Sequence, residues 1–104
     1  MSRHIRRAIT PIEPEGYRHV WHQYTIRLTD VDREEAIARL KQAGVDASIF
    51  YPVPVHQQKV YRDRGYDDRM PVAEMLCRQV ISLPVHPGLS QEDLDTIVAA
   101  VESL

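Results

Sequence analysis

The chain has 104 residues, enough for one domain, with 43% hydrophobic and 27% charged residues and a net charge of −2. That near-neutral balance removes the electrostatic case for binding nucleic acid or an anionic membrane surface, and no apolar run is long enough to span a bilayer. Cys77 is the only cysteine, which excludes an intrachain disulfide; a chain without a disulfide framework fits a reducing, cytoplasmic location.

Residues 1 to 16 read as an extended lead-in, because Pro11, Pro14 and Gly16 interrupt any helix. From Val20 to Leu28 the chain is rich in aromatic and β-branched residues. Tyr24, Ile26 and Leu28 alternate with Gln23, Thr25 and Arg27, the period of a half-buried strand. His22 lies in phase with the apolar set and so reads as a core histidine. Asp32 with Glu35 three positions on has capping-box spacing and opens a helix. Ala36, Ile37, Leu40 and Ala43 form its apolar face, and Gly44 provides a left-handed stop. Val45 to Phe50 reads as a second strand.

Next comes Tyr51-Pro52-Val53-Pro54-Val55-His56-Gln57-Gln58. The two prolines fix their own φ angles and push Tyr51 and Val53 toward extended backbone, so the segment is stiff and lacks two N–H donors. Such a loop either joins two packed elements as a rigid crossover or holds side chains at a defined place. In the second case the candidates are Tyr51, His56 and Gln57. Residues 56 to 62 read as a helical turn, and the charged run from Asp63 to Arg69 as an exposed turn. Pro71 suits the first turn of a helix that continues through Val72, Met75 and Leu76. Val80 to Leu83 is a short buried strand closed by Pro84. Ser90 and Asp93 form a second capping box, followed by a helical stripe of Leu94, Ile97, Val98, Val101 and Leu104. The order predicts a small α/β (α+β) fold: a two-layer sandwich with a three-stranded sheet and about three helices.

The familiar catalytic patterns are missing. His19 and His22, three apart on a strand, face opposite sides, and no Cys-x-x-Cys or His-Glu-x-x-His motif exists, so no metal site is expected. The serines lack a nucleophile-elbow pattern. The four glycines are scattered singly and make no phosphate cradle. Lys41 and Lys59 are the only lysines, and both read as solvated rather than as a desolvated amine for Schiff-base chemistry. No catalytic residue is assigned from the sequence.

Five segments occur in a telling order: His19 to Arg27, Ala43-Gly44-Val45, Tyr51 to His56, Pro71-Val72-Ala73-Glu74 and Ile81 to Pro87. Together they resemble the C-terminal small domain of the DegT/StrS-type sugar aminotransferases, from about Ile9 to Leu104. These are pyridoxal-phosphate-dependent enzymes of fold type I that aminate nucleotide-linked keto-sugars. The resemblance implies a lead-in at 1–8, expected to be mobile, and an aminotransferase-like small domain at 9–104. It implies that pyridoxal phosphate and its lysine belong to a large domain, as partner in the same or a separate chain, with no cofactor expected on this chain alone. It implies a homodimer in the full enzyme and a nucleotide-sugar substrate contacted here by Tyr51, His56 and Gln57. Many members carry His directly before Tyr-Pro, where this chain has Phe50. Trp21, Tyr51 and Tyr61 are candidates for an exposed apolar patch. A different reading is a stand-alone, non-catalytic binding or interaction module that kept the fold.

Overall fold

The computed structural model describes residues 1–104. Strand β1 (Tyr24–Arg27) is followed by helix α1 (Arg33–Gln42), a 3-10 turn (Val55–Gln57), helix α2 (Lys59–Arg62), helix α3 (Pro71–Gln79), strand β2 (Val80–Leu83) and helix α4 (Gln91–Glu102). The two strands pair antiparallel, with Tyr24 opposite Leu83 and Ile26 opposite Ile81. Tyr24 and Ile26 are buried while Thr25 and Arg27 are half-buried, the alternation expected of a strand with one face on a core.

The helix ends are set locally. The Asp32 side chain accepts the Glu35 N–H at 2.9 Å at the start of α1. At its end, Gly44 N–H donates to the Lys41 carbonyl and Val45 N–H to the Leu40 carbonyl, with Gly44 at φ +83°. That double closure is a Schellman motif, which requires a left-handed residue at the glycine. Ser90 and Asp93 cap α4 reciprocally. Pro71 sits at the start of α3, where its missing N–H costs nothing.

The core is one cluster in which α1 supplies Ala36 and Leu40, α4 supplies Ile97, Ala100 and Val101, and the strands supply Tyr24, Ile26, Ile81 and Leu83. Ser82, the one buried polar residue, is satisfied by a hydroxyl–hydroxyl hydrogen bond of 2.9 Å with Thr25.

Three expectations change. The sheet has two strands, not three, and a two-layer sandwich is not what the elements establish. The expected strand at 45–50 shrinks to one bridge, Ser48 with Ser82. Its first residue, Val45, is used in closing α1, and beyond Ile49 the chain enters the proline loop, where donors are missing. Ile9 makes a matching single bridge to Arg27 on the other side. His22 is exposed, not in the core. Trp21 has φ 52°, which breaks the alternation, so the strand begins only at Tyr24. Residues 1–8, set apart above as a lead-in, are attached to the core. Ile5 is buried, and the Arg6 and Arg7 N–H groups donate to Glu102 Oε1 at 2.6 and 2.9 Å. Those two donors hold the Glu102 carboxyl below its ordinary pKa.

Urea denaturation should rank three substitutions. Ile26→Ala removes a side chain with no exposure and is expected to cost roughly 2–5 kcal/mol. Ser90→Ala removes the α4 cap and is expected to cost about 1 kcal/mol. Val72→Ala, on an exposed face, is expected to stay within about 0.5 kcal/mol of the parent.

Candidate functional site

Between the Ser48 bridge and the body of α3 the chain makes an excursion, residues 50 to 73. Every residue from Gln57 to Ala73 is exposed. The excursion is folded nonetheless, by local bonds. The 3-10 turn closes with Gln57 N–H donating to the Pro54 carbonyl, and α2 ends with Asp63 N–H on the Lys59 carbonyl. Gly65 N–H then donates to the Arg62 carbonyl, with Gly65 at φ +85°. The Tyr61 and Tyr66 rings meet edge-on, centroids 5.8 Å apart.

A constellation of three donors around one carboxylate joins this excursion to α3. Glu74 Oε1 accepts from Met70 N–H at 3.3 Å and from the Gln57 amide at 3.1 Å, and lies 2.9 Å from His56 Nε2. The hydrogen bond from His56, then that from Met70, hold the Glu74 carboxyl below its ordinary value of 4.5. An ionised carboxylate only accepts, so His56 Nε2 is the donor of the pair. With Nε2–H given to Glu74, the ring nitrogen left to face a ligand is Nδ1. His56 is 13% and Glu74 23% exposed at the side chain, so the pair is well shielded but reachable.

The pair forms one wall of a cleft of about 400 Å³ whose other lining residues are Gln57, Arg62, Tyr66, Asp67, Asp68 and Arg69. It offers hydrogen-bond donors, acceptors and both signs of charge, and almost no apolar wall. Such a surface is suited to a polar, hydroxyl-rich or charged ligand, not to an apolar one.

The three residues singled out from sequence are thus divided. His56 and Gln57 share one carboxylate in the cleft. Tyr51 is absent from that lining; it is 67% exposed and stands edge-on to Phe50, centroids 5.5 Å apart. Phe50 lines a smaller cavity of about 190 Å³ beside β2, together with His22, Asp46 and Ser48. Glu74, the acceptor that organises the cleft, stands in the sequence only as the last residue of the Pro71-Val72-Ala73-Glu74 segment, and its bond to a residue 18 positions away follows no local rule. Trp21, expected in an exposed patch, is half-buried, stacked on His19 at 3.9 Å. Cys77 is half-buried, and its carbonyl accepts from the Arg33 guanidinium. No group of three His, Cys, Asp or Glu side chains converges as a metal site.

Comparison with known proteins places the chain in a family. The family model "DegT/DnrJ/EryC1/StrS aminotransferase family" matches residues 3–102. The chain belongs to that family. It is 38% identical over 95 residues to the pleiotropic regulatory protein of Geobacillus stearothermophilus, covering 90% of this chain and 25% of that one. It is 38% identical over 91 residues to the UDP-N-acetyl-3-dehydro-alpha-D-glucosamine 3-aminotransferase of Acidithiobacillus ferrooxidans, covering 88% and 24%. A solved DegT/DnrJ/EryC1/StrS aminotransferase from Brucella abortus superimposes with a TM-score of 0.81 at 33% identity, covering 93% of this chain and 26% of that one. The chain therefore spans about a quarter of the length of the curated relatives it matches.

The Glu74 clamp has a pH signature. A carboxyl whose folded pKa is depressed stabilises the fold fully above its unfolded pKa and loses that contribution as pH falls through the folded value. On acidification below 4.5 the Glu74 carboxyl should titrate late and the His56 ring resonances should shift with it. In Glu74→Gln that coupled step should vanish from the NMR titration. A Glu74 that titrates at or above its ordinary value would contradict the clamp.

Proposed function

We propose that this chain is the small domain of a pyridoxal-phosphate-dependent nucleotide-sugar aminotransferase, supplying part of the substrate pocket and none of the cofactor chemistry. The observation that carries this reading is the match over residues 3–102 to a family whose curated members here are about four times as long.

Pyridoxal phosphate, the cofactor of the family, needs a desolvated lysine for its Schiff base. The residues of this chain do not fit it. Lys59 is 86% exposed at the side chain and paired with Asp63, and Lys41 is exposed on α1, outside the cleft. The lysine and the cofactor's main contacts belong, in this reading, to a large domain.

What the chain contributes is binding and orientation. His56 Nδ1 accepts a hydrogen bond from a ligand hydroxyl or amide, with its ring direction fixed by Glu74. Gln57, held by the same carboxylate, offers its amide oxygen as a second acceptor. Tyr51, exposed on the stiff loop, offers a hydroxyl from outside the cleft. A sugar nucleotide carries hydroxyls, amides and phosphates, which matches the polar lining. Holding such a substrate in one orientation converts binding energy into rate at a reacting carbon held elsewhere. Phe50, in place of the family's common histidine, gives an apolar contact where a polar one would otherwise be made.

Two measurements test the reading. The chain mixed with pyridoxal phosphate should develop no Schiff-base absorbance band beyond that of scattered surface amines; a saturable, stoichiometric band would contradict it. Grafted in place of the matching quarter of the Brucella abortus aminotransferase, the chain should support transamination. In that graft His56→Ala should raise KM for the sugar nucleotide roughly tenfold, the loss of one good hydrogen bond to substrate. A folded graft without activity would favour the non-catalytic interaction module instead.

A further inference from the structure

Helix α3 carries Glu74, yet no apolar contact with the core fixes its direction. None of its residues is buried, and none belongs to the core cluster or to the half-buried apolar residues packed on it. A short helix without a buried face is held in place by the bonds it makes. Those bonds gather at its C-terminal end. Leu28 N–H donates to the Gln79 carbonyl at 2.9 Å, and the Arg27 guanidinium donates to the Gln79 side-chain oxygen at 3.2 and 3.0 Å. Both grips fall on one residue, at the junction with β2. The third grip is Arg33, the first residue of α1, whose Nη1 donates to the Cys77 carbonyl. Cys77 and Gln79 are two apart in the chain, which sets them about 200° apart around the helix axis. Arg33 therefore bonds α3 on a second side. A grip at the junction alone leaves a helix free to tilt, and a second grip on another side stops the tilt.

The chemistry suits the place. The last carbonyls of a helix lack intrahelical partners and carry the negative end of its dipole, which favours a guanidinium. Arg33 gains little else there. Its Nε is buried without a hydrogen-bond partner, and the carboxylate beside it, Glu34 Oε1, lies 3.8 Å away, too far to accept. A buried N–H left unpaired costs stability, so this placement secures geometry more than stability.

We propose that Arg33 is a positioning residue of the candidate cleft, holding α3 at the angle at which Glu74 meets His56 and Gln57. The arm formed by residues 50 to 73 is anchored on its own side, by the buried Pro54 and by the Ser48–Ser82 bridge just before it, and so does not follow a tilting helix. Glu74 precedes the Gln79 junction by about 7.5 Å along the helix axis. A tilt of about 5° at that junction moves its carboxylate by about 0.7 Å. That takes the 2.9 Å bond to His56 beyond hydrogen-bond reach. What the cleft binds belongs to the domain reading above, on which a role for Arg33 in turnover rests; the geometry of the cleft can be read without it.

The test is Arg33→Met in the full chain, followed by NMR through an acid titration. The charges that act on Glu74 are those of His56 and Arg69, and Arg33 is not among them; Arg62, Asp67 and Asp68 line the same cleft. A change in the Glu74 titration therefore travels through α3. In Arg33→Met the Glu74 midpoint should rise toward 4.5, and the His56 ring and the Gln57 amide should stop responding to it. Met70 N–H should still respond, because its bond to Glu74 lies within the first turn of α3 itself. Arg78→Met, which removes an exposed charge beside Cys77, should change none of these. Arg33→Met also removes the unpaired Nε–H, which offsets part of the lost bond. Where the variant is partly unfolded, sucrose restores the compact state and the titration is read there. A lowered urea midpoint with the Glu74 titration and the His56 response unchanged makes Arg33 a stabiliser only and overturns the proposal. So does an Arg78→Met that moves Glu74 as far, since the effect is then one of charge. An Arg33→Met that stays unfolded in sucrose overturns it as well, since Arg33 then holds the fold and not the cleft.

Discussion

Four residue pairs between Tyr24–Arg27 and Val80–Leu83 hold this molecule together. They join the first quarter of the chain to the last, and everything between them is hung from that ladder. Helix α1 follows β1 and returns its apolar face to the sheet; β2 leads into α4, which shares the same core. Helix α3 runs directly into β2, with Leu28 N–H donating to the Gln79 carbonyl and Arg27 bonding the Gln79 side chain. The direction of α3 therefore depends on the ladder, and so does the position of Glu74. The cleft is built one step further out, by the reach of His56 and Gln57 to that carboxylate.

This hierarchy explains what the sequence disclosed. Features decided within a turn of helix were legible: Asp32 with Glu35, Gly44, Pro71, and Ser90 with Asp93 all sit where their chemistry places them. The two strands of the ladder were also legible, since period two survives in Tyr24 to Leu28 and a buried run in Val80 to Leu83. Features decided by long-range pairing were not. Val45 to Phe50 has strand-like composition, but helix closure at one end and prolines at the other leave a single bridge. His22 kept the phase of the strand on paper, yet the backbone at Trp21 turns left-handed before the strand begins. Ile5 gave no local sign that it would enter the core.

The site follows the same division. The extended backbone expected from proline chemistry is seen at Pro54 (φ −66°, ψ 153°), which is buried at the start of the turn that carries His56 and Gln57. The grouping of Tyr51 with those two did not follow, because the turn begins after Tyr51 and leaves it on the far side. Glu74 could not be chosen among fifteen acids by residue type. Only its three donors single it out. A family likeness supplied the order of the segments, and the geometry supplied the acceptor that ties two of them together.

The molecule is thus two regimes in one chain: a packed half, closed by the ladder, and an arm held by local turns and one carboxylate. Native-state hydrogen exchange on the isolated chain tests this division most directly. The amides of β1, β2 and the buried face of α4 should exchange only with global unfolding, while those from Lys59 to Tyr66 exchange through far smaller openings. Arm amides protected to the same global limit as the strands would contradict the account.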